Sequence, residues 1–310
     1  MRTDDKTFIE LFQSLGGGGT AKRTETSERA VFARRKRIEQ KLGRTLLAPG
    51  ARASKTAHPQ RISLDIENGV MLVGSDPHYW PGSPSPAHRA FVRFCKELKP
   101  KIVVMNGDVL DGATVSRHPP LNWEERPSLI NEIEASKERL AEIEAVIPRT
   151  AKMAWCLGNH DARFEMKLAA TVPEYAKIHG FHLKDHFGPR WIPGWAVWVN
   201  NSVVVKHRWK GGVHGVYNNV VGAGLTMVTG HDHALRASPY TDYTGTRWGV
   251  STGCLAEPDG PQFDYNEDNP RNHRAGFAVF TFVNGRLLPP ELVHVSSAHT
   301  VDFRGEVINI

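Results

Sequence analysis

The chain is poor in cysteine and has no long apolar run, and both absences narrow what it can be. Its three cysteines, Cys95, Cys156 and Cys254, are odd in number and widely spaced. Such a set argues against a disulfide framework and for a reducing compartment, so the cytoplasm of a cell, or of an infected cell, is the expected location. No stretch approaches the ~18 to 20 apolar residues of a membrane span. The N-terminal MRTDDKTFIE lacks the apolar core and small-residue cleavage site of a secretory signal. Basic residues are in excess at one end only. Residues 1–61 hold 14 Lys and Arg against 6 Asp and Glu, and residues 62–310 hold 25 against 27, within an overall charge of +6. A basic arm on a near-neutral body suggests an acidic partner, with nucleic acid (DNA or RNA) as the leading candidate. At 310 residues the chain can bury one large core or two smaller ones.

Within the arm, residues 1–48, Thr7 and Glu10 have the spacing of a capping box. The pattern predicts a helix to Leu15 with Phe8, Leu11, Phe12 and Leu15 on one face, ended by Gly16 to Gly19. That glycine run is no phosphate-binding loop, because Lys22 has neither the required spacing nor a following Ser or Thr. A second helix is predicted from a Thr26 or Ser27 cap to Leu42, with Val31, Phe32, Ile38 and Leu42 apolar and Arg29, Arg34, Arg35, Lys36, Arg37 and Lys41 around them. The pair resembles a degraded helix-turn-helix whose basic helix would read nucleic acid. A solvated basic helix is the alternative. Residues 49–60 read as a linker without periodicity.

From residue 61 to 310, apolar strands and amphipathic helices alternate, then strands dominate. Arg61–Glu67 and Val70–Val73 read as a hairpin around Asn68-Gly69. Helices are predicted at 86–98, 128–146, 162–170 and 174–179, and the last strand pair around Asn284-Gly285 as a β-hairpin. The organising stretch is KIVVMNGDVLDG, residues 101–112. A short, continuously apolar run ended by glycine fits a strand covered on both faces, with Asp108 delivered into the loop beyond it. In open α/β sheets, chemistry sits beyond the carboxyl ends of strands. Four other strands repeat the design, so that the full set is Asp76-x-His78, Gly107-Asp108-x-x-Asp111, Gly158-Asn159-His160-Asp161, His207, and Gly230-His231-x-His233. Carboxylate, carboxamide oxygen and imidazole together suit manganese, iron or zinc better than calcium. Cys156 lies inside a strand and reads as core.

These five motifs, in this order, resemble the calcineurin-like metallophosphoesterase family over roughly residues 70–235. The text around them, GDVLDGATVSRHPP and GNHDARFE, is also similar to phage-encoded members. The resemblance implies a four-layer α/β/β/α fold behind a small helical N-terminal extension. It also implies two divalent metal ions, manganese first, with iron, zinc or nickel as alternatives. Asp76, His78, Asp108 and His233 would hold one ion and Asp108, Asn159, His207 and His231 the other, with Asp108 shared between them. His214 competes with His207, which directly follows its strand. An activated water would attack phosphorus, His160 would protonate or stabilise the leaving oxygen, Asp161 would orient the His160 imidazole, and Asp111 would support the ligands from behind. Arg117, His118 and Arg163 are candidates for phosphate contact or for solvated surface, and Tyr79, Trp80 and Trp209 for base stacking or sheet-edge packing. The protein-phosphatase branch has Gly where Tyr79 stands and Arg-Gly where Gly112-Ala113 stand, which argues against a phosphoprotein substrate. The implied activity is hydrolysis of a phosphodiester, with nucleic acid as a candidate. A phosphomonoesterase and a DNA-binding protein with a scaffold phosphoesterase domain are the rivals.

Overall fold

The computed structural model describes residues 3–42, 46, 48–49, 58–117, 123, 125–176, 178–266 and 272–310. The chain divides into two compact units, residues 1–57 and 58–310. Most of the expected linker, and His118, lie outside the described residues.

In the first unit, Asp4 rather than Thr7 caps helix α1 (Asp5–Thr24), accepting from the Thr7 amide at 2.9 Å. The glycine run does not end this helix. It kinks at Gly16, where φ is +70°, and continues to Thr24. Each helical glycine costs roughly 1 kcal/mol relative to alanine, and packing offsets that cost. A Cβ on Gly17 would stand 2.6 Å from the Phe32 ring, so its absence admits helix α2 (Glu28–Leu42). Phe8, Phe12, Val31, Ile38 and Leu46 form a small core of their own. Leu15 and Leu42, expected on the apolar faces, are exposed.

The second unit holds two sheets. In the larger, β2 (Gly69–Gly74), β3 (Ile102–Asn106), β4 (Lys152–Cys156) and β5 (Trp191–Gly194) run parallel in that order. On the other side of β2 comes an antiparallel run of β11 (Gly276–Val283), β13 (Glu291–Val295), β14 (Thr300–Phe303) and β15 (Glu306–Asn309), with β12 (Arg286–Leu287) folded onto β11. The smaller sheet is ordered β1-β6-β7-β8-β10-β9, that is Ile62–Leu64, Val197–Val199, Val203–Val205, Thr226–Thr229, Gly245–Thr252 and Leu235–Asp242. Side chains alternate across the larger sheet. Leu72, Val103, Met105 and Trp155 pack with Phe91 and Phe94 of α3 (Pro86–Leu98) and with Ile133, Leu140 and Ile143 of α4 (Leu129–Val146). Met71, Val73, Ile102, Val104 and Ala154 share the other core with Val197, Val203, Val205, Val228 and Val250 of the smaller sheet. Helix α6 (Gly215–Ala223) lies on β10 so closely that a Cβ on Gly249 would stand 2.0 Å from the Val216 carbonyl oxygen. The layers are therefore α/β/β/α.

The strand pair expected around Asn68-Gly69 is not a hairpin. β2 is flanked on both edges, by β3 and β11, so β1 has no free edge to join. It pairs instead with β6, in parallel, across the core. The helix expected over 174–179 is only a 3-10 turn, Pro173–Tyr175. Strands β5, β6, β9, β14 and β15 were not anticipated, being short or half-exposed.

One hydrogen-bonded bridge ties the helices to the loop that follows β2. The buried His88 of α3 accepts at Nδ1 from the Tyr79 hydroxyl at 2.9 Å and donates from Nε2 to Glu142 of α4 at 2.8 Å. Tyr79 is thus buried and engaged, with no face left for base stacking. Burial, helped by Arg139 and Arg89, lowers the His88 pKa to about 3. The folded ring stays neutral while the unfolded one gains a proton below about 6.5. Stability is therefore full above that pH and declines as pH falls toward 3, by at most about 1.4 kcal/mol per unit. Thermal melts between pH 7 and 5 should show a falling midpoint in the wild type and a shallower fall in His88→Gln.

Candidate metal centre

The carboxyl ends of β2, β3 and β4 in one sheet, and of β7 and β8 in the other, deliver their loops to one place. Five residues there take a left-handed backbone: Asp76 (φ +50°), His78 (+41°), Asp108 (+51°), His231 (+71°) and His233 (+52°). Non-glycine residues adopt this conformation rarely and at a cost, and it persists where the surroundings impose it, often at functional sites. With His160 and His207 these side chains form three overlapping groups, each with potential ligand atoms within 4.8 Å of one another: Asp76, His78 and His233; His78, Asp108 and His160; Asp108, His207 and His231. The individual approaches are 3.2 Å from His233 Nε2 to Asp76 Oδ1 and 3.1 Å from His207 Nε2 to Asp108 Oδ2. His78 Nε2 and His160 Nε2 stand 4.0 and 3.9 Å from the same Asp108 oxygen.

Missing side chains make room for this convergence. A Cβ on Gly158 would lie 2.0 Å from Asp108 Oδ1, and one on Gly107 would lie 2.2 Å from His207 Nδ1. Hydrogen bonds then turn the rings. His207 Nδ1 donates to the Asn106 carbonyl at 2.7 Å and His78 Nδ1 to Asp111 Oδ1 at 3.0 Å, so both Nε2 atoms face the cluster. Backing of this kind selects the tautomer a metal needs.

Whether the residues fit a divalent cation can be tested on their polar atoms. His78 Nε2, His207 Nε2 and Asn159 Oδ1 are buried and make no hydrogen bond. Buried polar atoms are normally paired, and these three are acceptors or potential donors of electron pairs. The electrostatics agree. Burial would lower the His207 pKa, yet the Asp108 and Asp76 carboxylates raise it to about 10. Burial would likewise raise Asp76, yet His233 and His207 lower it to about 2. Two buried carboxylates thus hold positive charge between them, and a cation can supply it. The donor set of carboxylate, carboxamide and imidazole fits.

The structure pairs His160 differently from the expectation. Its Nδ1 contacts Asp111, at 2.8 Å from the carbonyl oxygen and 3.1 Å from Oδ1. Asp161 does not touch the ring. Its carboxylate accepts instead from the amides of Asp108, Val109, Leu110 and Gly158 and from the Trp155 indole, at 2.8 to 3.1 Å. Burial and the neighbouring Asp108 push its pKa up to about 6, while five N–H donors favour the charged form. Asp161 clamps the two loops that carry Asp108 and Asn159. Glu132, which sequence reasoning did not single out, clamps the next stretch by accepting from the Gly112 and Ala113 amides. It sits in an amphipathic helix among other glutamates, with nothing local to mark it. His273 and Phe263 were also missed, their rings 4.4 and 5.1 Å from that of His233. His214 stands at the N-cap position of α6 without a side-chain capping bond and belongs to none of the three groups.

The calcineurin-like phosphoesterase family model matches residues 70–244. The chain belongs to that family. It is a hydrolase of phosphoester bonds, and the matched residues include the five loops above. No curated protein matches in sequence. Among solved structures, a Vps29 single mutant from Entamoeba histolytica is similar at 12% identity, over 78% of this chain and 99% of its own, with a TM-score of 0.40. The phosphoesterase Yfce from E. coli is 17% identical over 71% and 97%, TM-score 0.33. A dimetal phosphatase from Danio rerio is 11% identical over 79% and 99%, TM-score 0.38.

Elemental analysis of the purified chain should find divalent metal, and Asp108→Ala should lose it while remaining folded. Asp161→Ala should behave differently. Five donors would lose their acceptor at about 1 to 3 kcal/mol each if unsatisfied, so its thermal midpoint should drop steeply.

Proposed function

We propose that the chain is a dinuclear metal-dependent phosphoesterase that cleaves a phosphodiester, with nucleic acid as a candidate substrate. The observation that carries this reading is the sharing of Asp108 between ligand groups, which lets one carboxylate serve two neighbouring cations. Asp76, His78, Asp108 and His233 would hold one, and Asp108, Asn159, His207 and His231 the other. Manganese suits the donors best, with iron, zinc or nickel as substitutes. When bound, the cations would neutralise phosphate oxygens and acidify water.

The protein's own groups do the rest. His160 is positioned by Asp111, and the carboxylates of Asp108 and Asp111 raise its pKa against the effect of burial. It is the group that delivers a proton to the leaving oxygen. His231 is the exposed ligand and marks the open side. The half-exposed Trp209, with Lys210 Nζ 5.2 Å from its ring centroid, follows His207 in the chain. The nucleic-acid element of the reading rests on the first unit. Arg29, Lys36, Arg37 and Lys41 of α2 make no ion pair among the described residues, whereas Arg34 and Arg35 are held by Asp5 and Glu39. Uncompensated cations on one helix suit a polyanion.

Parallel assays on bis-p-nitrophenyl phosphate, p-nitrophenyl phosphate and labelled DNA test the substrate. Turnover of the monoester alone would retire the diesterase reading. His160→Ala should keep its metal and lose about 100-fold or more in turnover on poor leaving groups, and less on good ones. Equal losses would remove the acid role. DNA binding by the full chain should weaken steeply with salt, and neutralising Arg29, Lys36, Arg37 and Lys41 together should flatten that dependence.

A further inference from the structure

Helix α5 (Asp161–Thr171) places Arg163 one turn after His160. Its guanidinium donates to the Asp111 carbonyl oxygen at 2.8 Å and to His160 Nε2 at 3.1 Å. Neither partner is a carboxylate, and Arg163 makes no ion pair among the described residues. That is unusual for a half-buried guanidinium, which ordinarily takes a bidentate carboxylate or phosphate. The position is as telling as the partners. The stem lies over Gly112, where an added Cβ would stand 3.4 Å from Arg163 Cδ. Gly112 has no side chain and its φ is +64°, so the guanidinium passes over it from α5. Beyond it, His160 Nε2 is 3.9 Å from Asp108 Oδ2, so the cation stands at the rim of the ligand cluster.

We propose that Arg163 is a phosphoryl-oxygen subsite of this centre, filling from α5 the space that Gly112 leaves open. The proposal rests on the phosphoesterase reading and deepens it. In the structure the guanidinium donates to the Asp111 carbonyl oxygen and to His160 Nε2, neither of them an anion. A terminal phosphate oxygen is a charged acceptor and a better partner than either neutral one, so substrate draws the guanidinium off His160. Arg163 bears on the reaction by touching the substrate, not by bracing the fold.

The test uses the full-length, metal-loaded chain with inorganic phosphate as the probe, read by calorimetry and by competition against a nitrophenyl ester. Arg163→Ala should raise the phosphate dissociation constant about 10- to 100-fold, the range expected for losing a charge-assisted contact. KM should rise with it, while metal content and thermal midpoint stay near wild type. Arg163→Lys keeps the charge but not the fork, and should recover part of the affinity. It also keeps the test open should the alanine variant fold poorly. Wild-type phosphate affinity and KM in Arg163→Ala would overturn the proposal, as would a lower thermal midpoint with binding unchanged, which is the mark of a brace. If the wild type neither binds phosphate nor turns over any ester, the phosphoesterase reading fails first, and this one with it.

Discussion

Two carboxylates buried against each other's histidines are the constraint from which the rest of the second unit follows. Asp76 and Asp108 are 0% and 1% exposed, and neither forms an ion pair with a lysine or arginine among the described residues. Burying uncompensated anions is far too costly for a marginally stable fold. The compensation is assembled from five strand ends, as imidazoles that hold protons or, as we propose, cations. Because these partners are remote in sequence, both sheets must end at the same level. The parallel order of β2, β3, β4 and of β7, β8 achieves this.

Holding such a cluster together calls for further buried carboxylates with different partners. Asp161 is met by backbone amides and an indole, Glu132 by two amides of the neighbouring turn, and Asp111 by two imidazoles. These environments set the chemistry of identical groups. Burial raises Glu132 to about 7 even with its amide donors, whereas the His160 and His78 hydrogen bonds hold Asp111 far below the usual carboxylate range despite burial. Asp161 and Glu132 shape loops. Asp111 faces the His78 and His160 rings, so its charge acts on the cluster directly.

Much of the second unit was legible along the chain. The continuously apolar runs ending at Asp108 and Asn159 read as central strands and are central strands, since a strand covered on both faces has no polar alternation to confuse it. The amphipathic helices α3 and α4 were visible for the complementary reason, with serine caps at Ser85 and Ser128. Short strands at or near a sheet edge, such as β1, β6 and β15, were obscure or misassigned. They are three or four residues long, and their partners are chosen by what edges remain free. The glycine run in α1 misled for a related reason, because local propensity cannot register a Phe32 ring packed where a side chain would be.

The candidate donor types and their order are written in the sequence, since a loop must carry its donor just past a strand end whatever the rest of the chain does. Their convergence also depends on glycine gaps at 107 and 158 whose purpose appears only in space. The partner of each group belonged to the tertiary structure. Asp161 follows His160 directly, yet the α5 start turns its carboxylate inward onto backbone amides, while Asp111, from another loop, reaches the imidazole. Adjacency in sequence constrains where a residue can be. Which atoms its side chain meets is settled by the elements that fold against it.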